Sequence, residues 1–207
     1  RSWGPRIDTL RYDGDPTYRY SRLGRIVGQS DPAATAVAVV PFENLGNFFN
    51  TGVTSSTYLS ASGGGESANY FASGGYLRQT GIVPNSTFER ITLKVSGDAQ
   101  LSEKLKVQAS ANYINSGGDR TNRGSNLSGV MLGLTRAPVS FALANGFAAA
   151  EDETGAYLLP AGAPRPYWGA YDNPYWSVNR NMSRDRVNRI IGNAGFSYEL
   201  APWLNAV

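Results

Sequence analysis

Histidine and cysteine are both absent from this chain, and lysine occurs only at positions 94, 104 and 106. Without histidine there is no Ser-His-Asp or Cys-His apparatus and no imidazole metal ligand. Without cysteine there are no disulfide staples and no thiolate sites, a composition that suits passage through an oxidising compartment. A Ser-Lys pair would need serine three residues before a lysine, and Ile91, Leu101 and Glu103 stand there instead. No apolar run approaches the ~20 residues of a spanning helix. The longest, Ala33 to Val40, is closed by Pro41. A helical membrane protein is excluded on that ground. A β-barrel is not, because its strands alternate in polarity and leave little hydropathy signal.

What is present points to β-structure. Among 207 residues there are 24 glycines, and aromatic residues make up 12%. That pairing suits an all-β protein with many turns or a barrel with aromatic girdles. The net charge is +3, with Arg1, Arg6, Arg11, Arg19, Arg22 and Arg25 set against Asp8, Asp13 and Asp15 in the first stretch. These arginines fall in segments that read as loops and form no continuous basic face, so solvated charge is expected and nucleic acid is not a partner.

A period of two runs through the middle of the chain. Ile91, Leu93, Val95, Gly97 and Ala99 alternate with Thr92, Lys94, Ser96, Asp98 and Gln100. Leu105, Val107, Ala109, Ala111 and Tyr113 alternate in the same way with Lys106, Gln108, Ser110 and Asn112. The short polar link 101–104 makes the two an antiparallel hairpin. Ile190, Gly192, Ala194, Phe196, Tyr198 and Leu200 form a third such face, followed by a turn at Ala201-Pro202. Val53–Ser62 and Asn69–Gln79 are β-like segments flanking Gly63-Gly64-Gly65-Glu66-Ser67. That glycine run has no lysine and no strand-to-helix context, so it is a turn and not a phosphate loop. Strands of about ten residues match the ~9–11 that cross a bilayer at a tilt and exceed the globular mode of ~5–6.

Connection lengths sort by side. The turns at 63–68, 101–104 and 201–202 are short, and the connections at 80–87 and 117–186 lie at the opposite strand ends. Short turns on one side and long loops on the other is the outer-membrane pattern. The expected architecture is an all-β, antiparallel transmembrane β-barrel segment of about six strands with long extracellular loops. Residues 1–52 would be an extracellular loop, 53–116 β-hairpins, 117–185 a long extracellular loop, and 186–207 a strand-turn-strand unit, all parts of one barrel domain.

No catalytic residues, metal site or cofactor are expected. Asp13-Gly14-Asp15 starts like a calcium loop but lacks the later ligands. Glu151-Asp152-Glu153 reads as a solvated run, with a weak calcium site as the alternative. The substrate-contact candidates are Tyr167, Trp168, Tyr171, Tyr175 and Trp176, set among Pro164, Pro166 and Pro174. Flat rings on a prolyl-stiffened loop can stack on a sugar face or grip a peptide. The alternative is that they pack the loop against a barrel rim or a neighbouring lipoprotein.

Several segments, in order along most of the chain, resemble one family. Asn44 to Thr54 (NLGNFFNTGVT) and Leu59 to Val95, including Gly81-Ile82-Val83-Pro84-Asn85-Ser86 and Arg90, resemble the front of the barrel in SusC/RagA-like TonB-dependent transporters. Ser2-Trp3-Gly4-Pro5, the hairpin Leu101 to Asn115, Asn173-Pro174-Tyr175-Trp176, Asp185-Arg186-Val187 and Ile191-Gly192-Asn193 resemble further elements of that family. The resemblance is weakest from Gly117 to Leu159. It implies import of an oligosaccharide or peptide across a bacterial outer membrane of the Bacteroidetes type. It also implies a SusD-like surface lipoprotein as a partner, outer-membrane lipid around the wall, and a TonB complex engaged through parts not in this chain. About six strands are far fewer than the ~22 of a plugged transporter barrel, so the remainder is expected elsewhere, as are the signal peptide, plug and TonB box. The competing expectation is a soluble or surface-attached β-module that binds carbohydrate without transport.

Overall fold

The computed structural model describes residues 4–21, 23–144, 159 and 164–207. Arg1, Ser2, Trp3, Arg22 and the acidic run Glu151–Glu153, all singled out above, lie outside the described residues, as does most of 145–163. The chain divides into two compact units, one of residues 1–50, 82–85 and 121–183, the other of 51–81, 86–120 and 184–207.

The second unit is a six-stranded sheet. Its strands are β3 (Val53–Gly64), β4 (Ala68–Thr80), β5 (Thr87–Ser102), β6 (Leu105–Arg120), β7 (Ser183–Ala201) and β8 (Leu204–Ala206), each hydrogen-bonded to the next in sequence. The all-β antiparallel class expected from the alternation is the class observed. Three tight turns join neighbours. Gly65 N–H donates to Ala68 O at 2.8 Å across the first. The second follows a bulge between Gln100 and Ser102, where the Gln100 side-chain amide donates to Ser102 O at 2.8 Å. The third, at Pro202-Trp203, also follows a register shift, between Glu199 and Ala201. β6 continues past the alternating stretch through Gly117, Gly118 and Asp119 to Arg120. Glycines there let the backbones approach, since a Cβ on Gly117 would lie 2.4 Å from Asp185 O.

Register places like with like on each face. Leu59 pairs with Gly74, Gly74 with Leu93, and Leu93 with Tyr113; Ala61, Ala72, Val95 and Ala111 form the adjacent row. The opposite face carries Ser60, Ser73, Lys94 and Asn112 in one row, with Asn69, Asp98 and Gln108 in another. β7 joins with the same parity, because Asn188 Oδ1 accepts from Tyr113 on the first face and Asn193 Oδ1 from Ser110 on the second. The apolar face is not covered: Leu59 is 74% exposed, Ile190 77% and Phe196 58%, with Leu93 and Val95 also exposed.

The first unit has a small hydrophobic core and little sheet. β1 (Leu10–Tyr12) and β2 (Ile26–Gly28) pair antiparallel. Helix α1 (Val130–Arg136) buries Val130 and Leu134, four residues apart on one face. Helix α2 (Pro174–Arg180) buries Pro174, Ser177 and Val178. Proline in its first turn suits a position whose N–H needs no partner. Phe48, Leu143 and Val178, all at most 1% exposed, join α1's residues in the core. The helices approach closely at Gly133, where a Cβ would meet the Pro174 ring at 2.8 Å.

Candidate functional site

Three of the five candidate aromatics gather on one turn of the first unit. Tyr171 N–H donates to Trp168 O at 3.3 Å, and Gly169 takes φ +55°, the left-handed region that glycine enters without steric cost. This turn brings Tyr167 and Tyr171 into a stacked pair with centroids 5.7 Å apart, and sets Trp168 tilted against Tyr171 at 6.1 Å. Trp168 is 71% exposed. The Arg136 guanidinium lies 5.5 Å from the centre of the Tyr171 ring, on a flat face that favours a cation. The group therefore offers one open indole face backed by a fixed aromatic stack.

Tyr175 is placed differently. It meets Phe48 edge to face at 5.0 Å, and its hydroxyl donates to Asn47 O at 3.5 Å. Phe48 in turn meets Phe49 at 5.5 Å. Tyr175 thus packs against the unit's core, and burial pushes its phenol up. Trp176, next to it on α2, is half-buried.

Two buried polar residues hold this arrangement. Asn173 is fully buried; its Oδ1 accepts from Tyr175 N–H at 2.9 Å and caps α2. Its Nδ2 donates to Leu143 O at 2.9 Å and Arg165 O at 3.1 Å. Arg165 is 1% exposed. It donates to Tyr20 O at 3.1 Å and to Ala142 O, and lies 4.3 Å from the centre of the Phe141 ring. Burial pulls its guanidinium down to about 10. Tyr167 and Arg165 also border a hollow of about 330 Å³ with Tyr18, Phe42, Phe141 and Arg25. Sequence reasoning missed this second group. The signal available was the recurrence of tyrosine beside arginine at Tyr18-Arg19-Tyr20, which reads as solvated charge until Arg25 is found 5.8 Å from the Tyr18 ring centre.

Asp13 and Asp15 take up their oxygens locally. Asp13 Oδ1 accepts from the N–H groups of Asp15 at 2.9 Å and Arg25 at 2.8 Å, and Asp15 Oδ1 accepts from Thr17. This is the geometry of a self-capped turn.

On the polar face of the sheet, the Lys94 ammonium sits 5.7 Å from the Phe71 ring centre. Asp98 accepts from Asn69 at 3.3 Å and lies 3.8 Å from Lys106. Asn112 Oδ1 is buried with no hydrogen-bond partner among the described residues.

No family model matches this chain. Over 101 residues, 49% of its length, the chain is 39% identical to TonB-dependent receptor P3 of Formosa agariphila. The matched stretch is 9% of that receptor, so the chain spans only a small part of the relative it resembles.

Proposed function

We propose that this chain supplies wall strands and mouth loops to a TonB-dependent outer-membrane transporter of the SusC/RagA-like type. The transporter imports an oligosaccharide or a peptide with a SusD-like lipoprotein over its mouth. The observation that carries this reading is the uncovered apolar face of the six-stranded sheet. A soluble β-module would pack such a face against a second sheet about 10 Å away. A barrel wall turns it to lipid, where closed strand pairing satisfies the backbone.

Strand length agrees. Sixteen residues in β5, at ~3.3 Å each, make roughly 53 Å. Tilted by about 45°, such a strand crosses roughly 37 Å, enough for a ~30 Å hydrocarbon core with its ends in the headgroups. The similarity to a TonB-dependent receptor over half of the chain supports the same reading. In it, Lys94, Asp98, Gln108 and Asn112 face the lumen or plug. Tyr167, Trp168 and Tyr171 meet substrate at the mouth, while Tyr175 and Trp176 hold their loop in shape.

The test uses the full-length protein in membranes, labelled at single introduced cysteines. Leu93→Cys and Val95→Cys are expected to be quenched by lipid-borne quenchers, and Lys94→Cys and Ser96→Cys by aqueous ones. Equal aqueous access at all four, with the protein recovered in the soluble fraction, would overturn the wall reading in favour of the carbohydrate-binding module. Loss of uptake in cells lacking the TonB complex is the expected functional counterpart.

A further inference from the structure

The apolar face of the sheet changes character along its strands. In the register of β4 to β6, the row Ala72, Val95 and Ala111 gives way to Gly74, Leu93 and Tyr113, then to Tyr76, Ile91 and Asn115, and then to Arg78, Glu89 and Gly117. The two tyrosines end in polar partners: Tyr76 donates to Glu89 at 3.4 Å and Tyr113 to Asn188 at 3.0 Å. Beyond them, Arg184 forks onto the Asp119 carboxylate at 2.7 and 3.2 Å. Apolar side chains, then tyrosines, then charges is the order that a hydrocarbon core, an interface and a headgroup layer impose on a surface. All of these residues lie on the four central strands β4–β7, so the gradient is complete within the second unit.

At the charged end there is a depression of about 330 Å³, bordered by Arg78, Glu89, Asp119, Arg184 and Arg186. At position 117, paired with Glu89, glycine lets β7 approach so closely that a Cβ would lie 3.1 Å from the Arg186 Cα, which brings Arg186 to the edge of the depression. Four arginines and three carboxylates line it in all, a surplus of one cation. Asp185 is held by Arg120 from outside the depression, and Arg90 alternates onto the opposite face of β5 with Lys94, so on this face Arg78, Arg184 and Arg186 stand against Glu89 and Asp119. Arg184 is committed to Asp119, and Arg78 reaches Glu89 only at 3.7 Å, beyond hydrogen-bond range. The exposed Arg186 side chain has no ion pair or hydrogen bond among the described residues. A planar guanidinium with its N–H groups free matches the oxygens of a phosphate.

We propose that this depression binds the phosphate of an anionic lipid headgroup, held by Arg186 and Arg78 with the acyl chains running down the apolar face. The proposal rests on the wall reading above, since only a lipid-facing surface would present these arginines at headgroup level. Charge complementarity selects an anionic over a zwitterionic lipid, and the adjoining exposed Ile91 and Leu93 select a lipid over a free anion.

The full-length protein in detergent is titrated with phosphatidylglycerol or phosphatidylcholine, and bound lipid is counted by native mass spectrometry. The native protein is expected to retain phosphatidylglycerol in preference to phosphatidylcholine. An Arg78→Gln/Arg186→Gln variant is expected to bind it roughly fivefold more weakly. Arg189→Gln, on the opposite face of β7, is expected to change nothing. Unchanged retention in the double variant overturns the proposal, as does displacement of the lipid by inorganic phosphate alone, which marks a free-anion site. The two readings fail separately. Recovery of the protein in the soluble fraction sinks the wall reading, whereas membrane recovery with unchanged lipid retention sinks the headgroup site alone.

Discussion

The rings of Tyr167 and Tyr171 lie within 7° of parallel, with centroids 5.7 Å apart, and leave the neighbouring Trp168 turned outward. On the proposed reading this stack and its exposed indole form the ligand-contact surface, and Tyr175 is not part of it. Trp168→Ala is therefore expected to leave stability within about 0.5 kcal/mol while weakening ligand binding by roughly tenfold. Tyr175→Ala, which strips an edge-to-face partner from buried Phe48, is expected to cost about 2 kcal/mol of stability. Calorimetric titration with an oligosaccharide and with a peptide, beside thermal melts of both variants, checks the contrast. A stability loss in Trp168→Ala equal to that in Tyr175→Ala would remove Trp168 from the contact surface.

Asn173 serves α2 and the loop above it at once, through one acceptor and two donor contacts in a fully buried site. Asn173→Ala removes a cap worth about 1 kcal/mol, takes its donor from the Arg165 carbonyl at about 1 kcal/mol or more, and leaves Leu143 O with the longer 3.5 Å contact from Arg165. Hydrogen exchange is expected to rise across residues 164–180 and to stay unchanged in β4–β6. Protection of Tyr175 N–H at the native level would contradict the capping role.

Gly117 and Gly118 lie near the end of β6, with Asp185 O and Thr87 O in the space that a Cβ would need. Gly117→Val forces the strands apart at that end, and overpacking of this kind costs roughly 1–3 kcal/mol. The expected signature is a lowered unfolding temperature of the full-length protein in detergent, together with loss of the Arg184–Asp119 fork. Gly65→Ala, at a turn with open space around it, serves as the neutral comparison.

Burial holds the Asp172 carboxyl above its ordinary range. Native protein thus binds this proton at higher pH than the unfolded chain does. The group's contribution is fully present below the ordinary carboxylate value of ~3.9 and is lost as pH rises through the raised native value. Asp172→Asn removes that loss. The variant is expected to be more stable than the native protein at neutral pH, and the two are expected to converge as the solution is acidified. Thermal melts across that range decide it; parallel curves would assign the pH dependence to other groups.

Much of the sheet was legible because period-two alternation is a local property. Ile91, Leu93 and Val95 share a face with Leu59, Ala72 and Ala111 for the same reason that each alternates with a polar neighbour: a one-residue slip would turn every side chain over. Short turns at Gly65 and Glu103 are local as well. The end of β6 was not legible, since Gly117 and Gly118 carry no alternation and are held in the strand by the approach of β5 and β7.

The loop unit divides along the same line. Its aromatic cluster could be seen as a cluster, but its members differ by where the chain folds back. Gly169 turns Trp168 outward, while the buried Asn173 cap directs Tyr175 into Phe48. Arg165 looks like any loop arginine until the carbonyls of Tyr20 and Ala142, 145 and 23 residues away, close around it. Alternation and turn chemistry act between neighbours in the chain and are written there. Burial of a guanidinium, exposure of an indole and the placing of Arg186 and Arg78 on the border of one depression depend on segments distant in sequence, and exist only once the chain has folded.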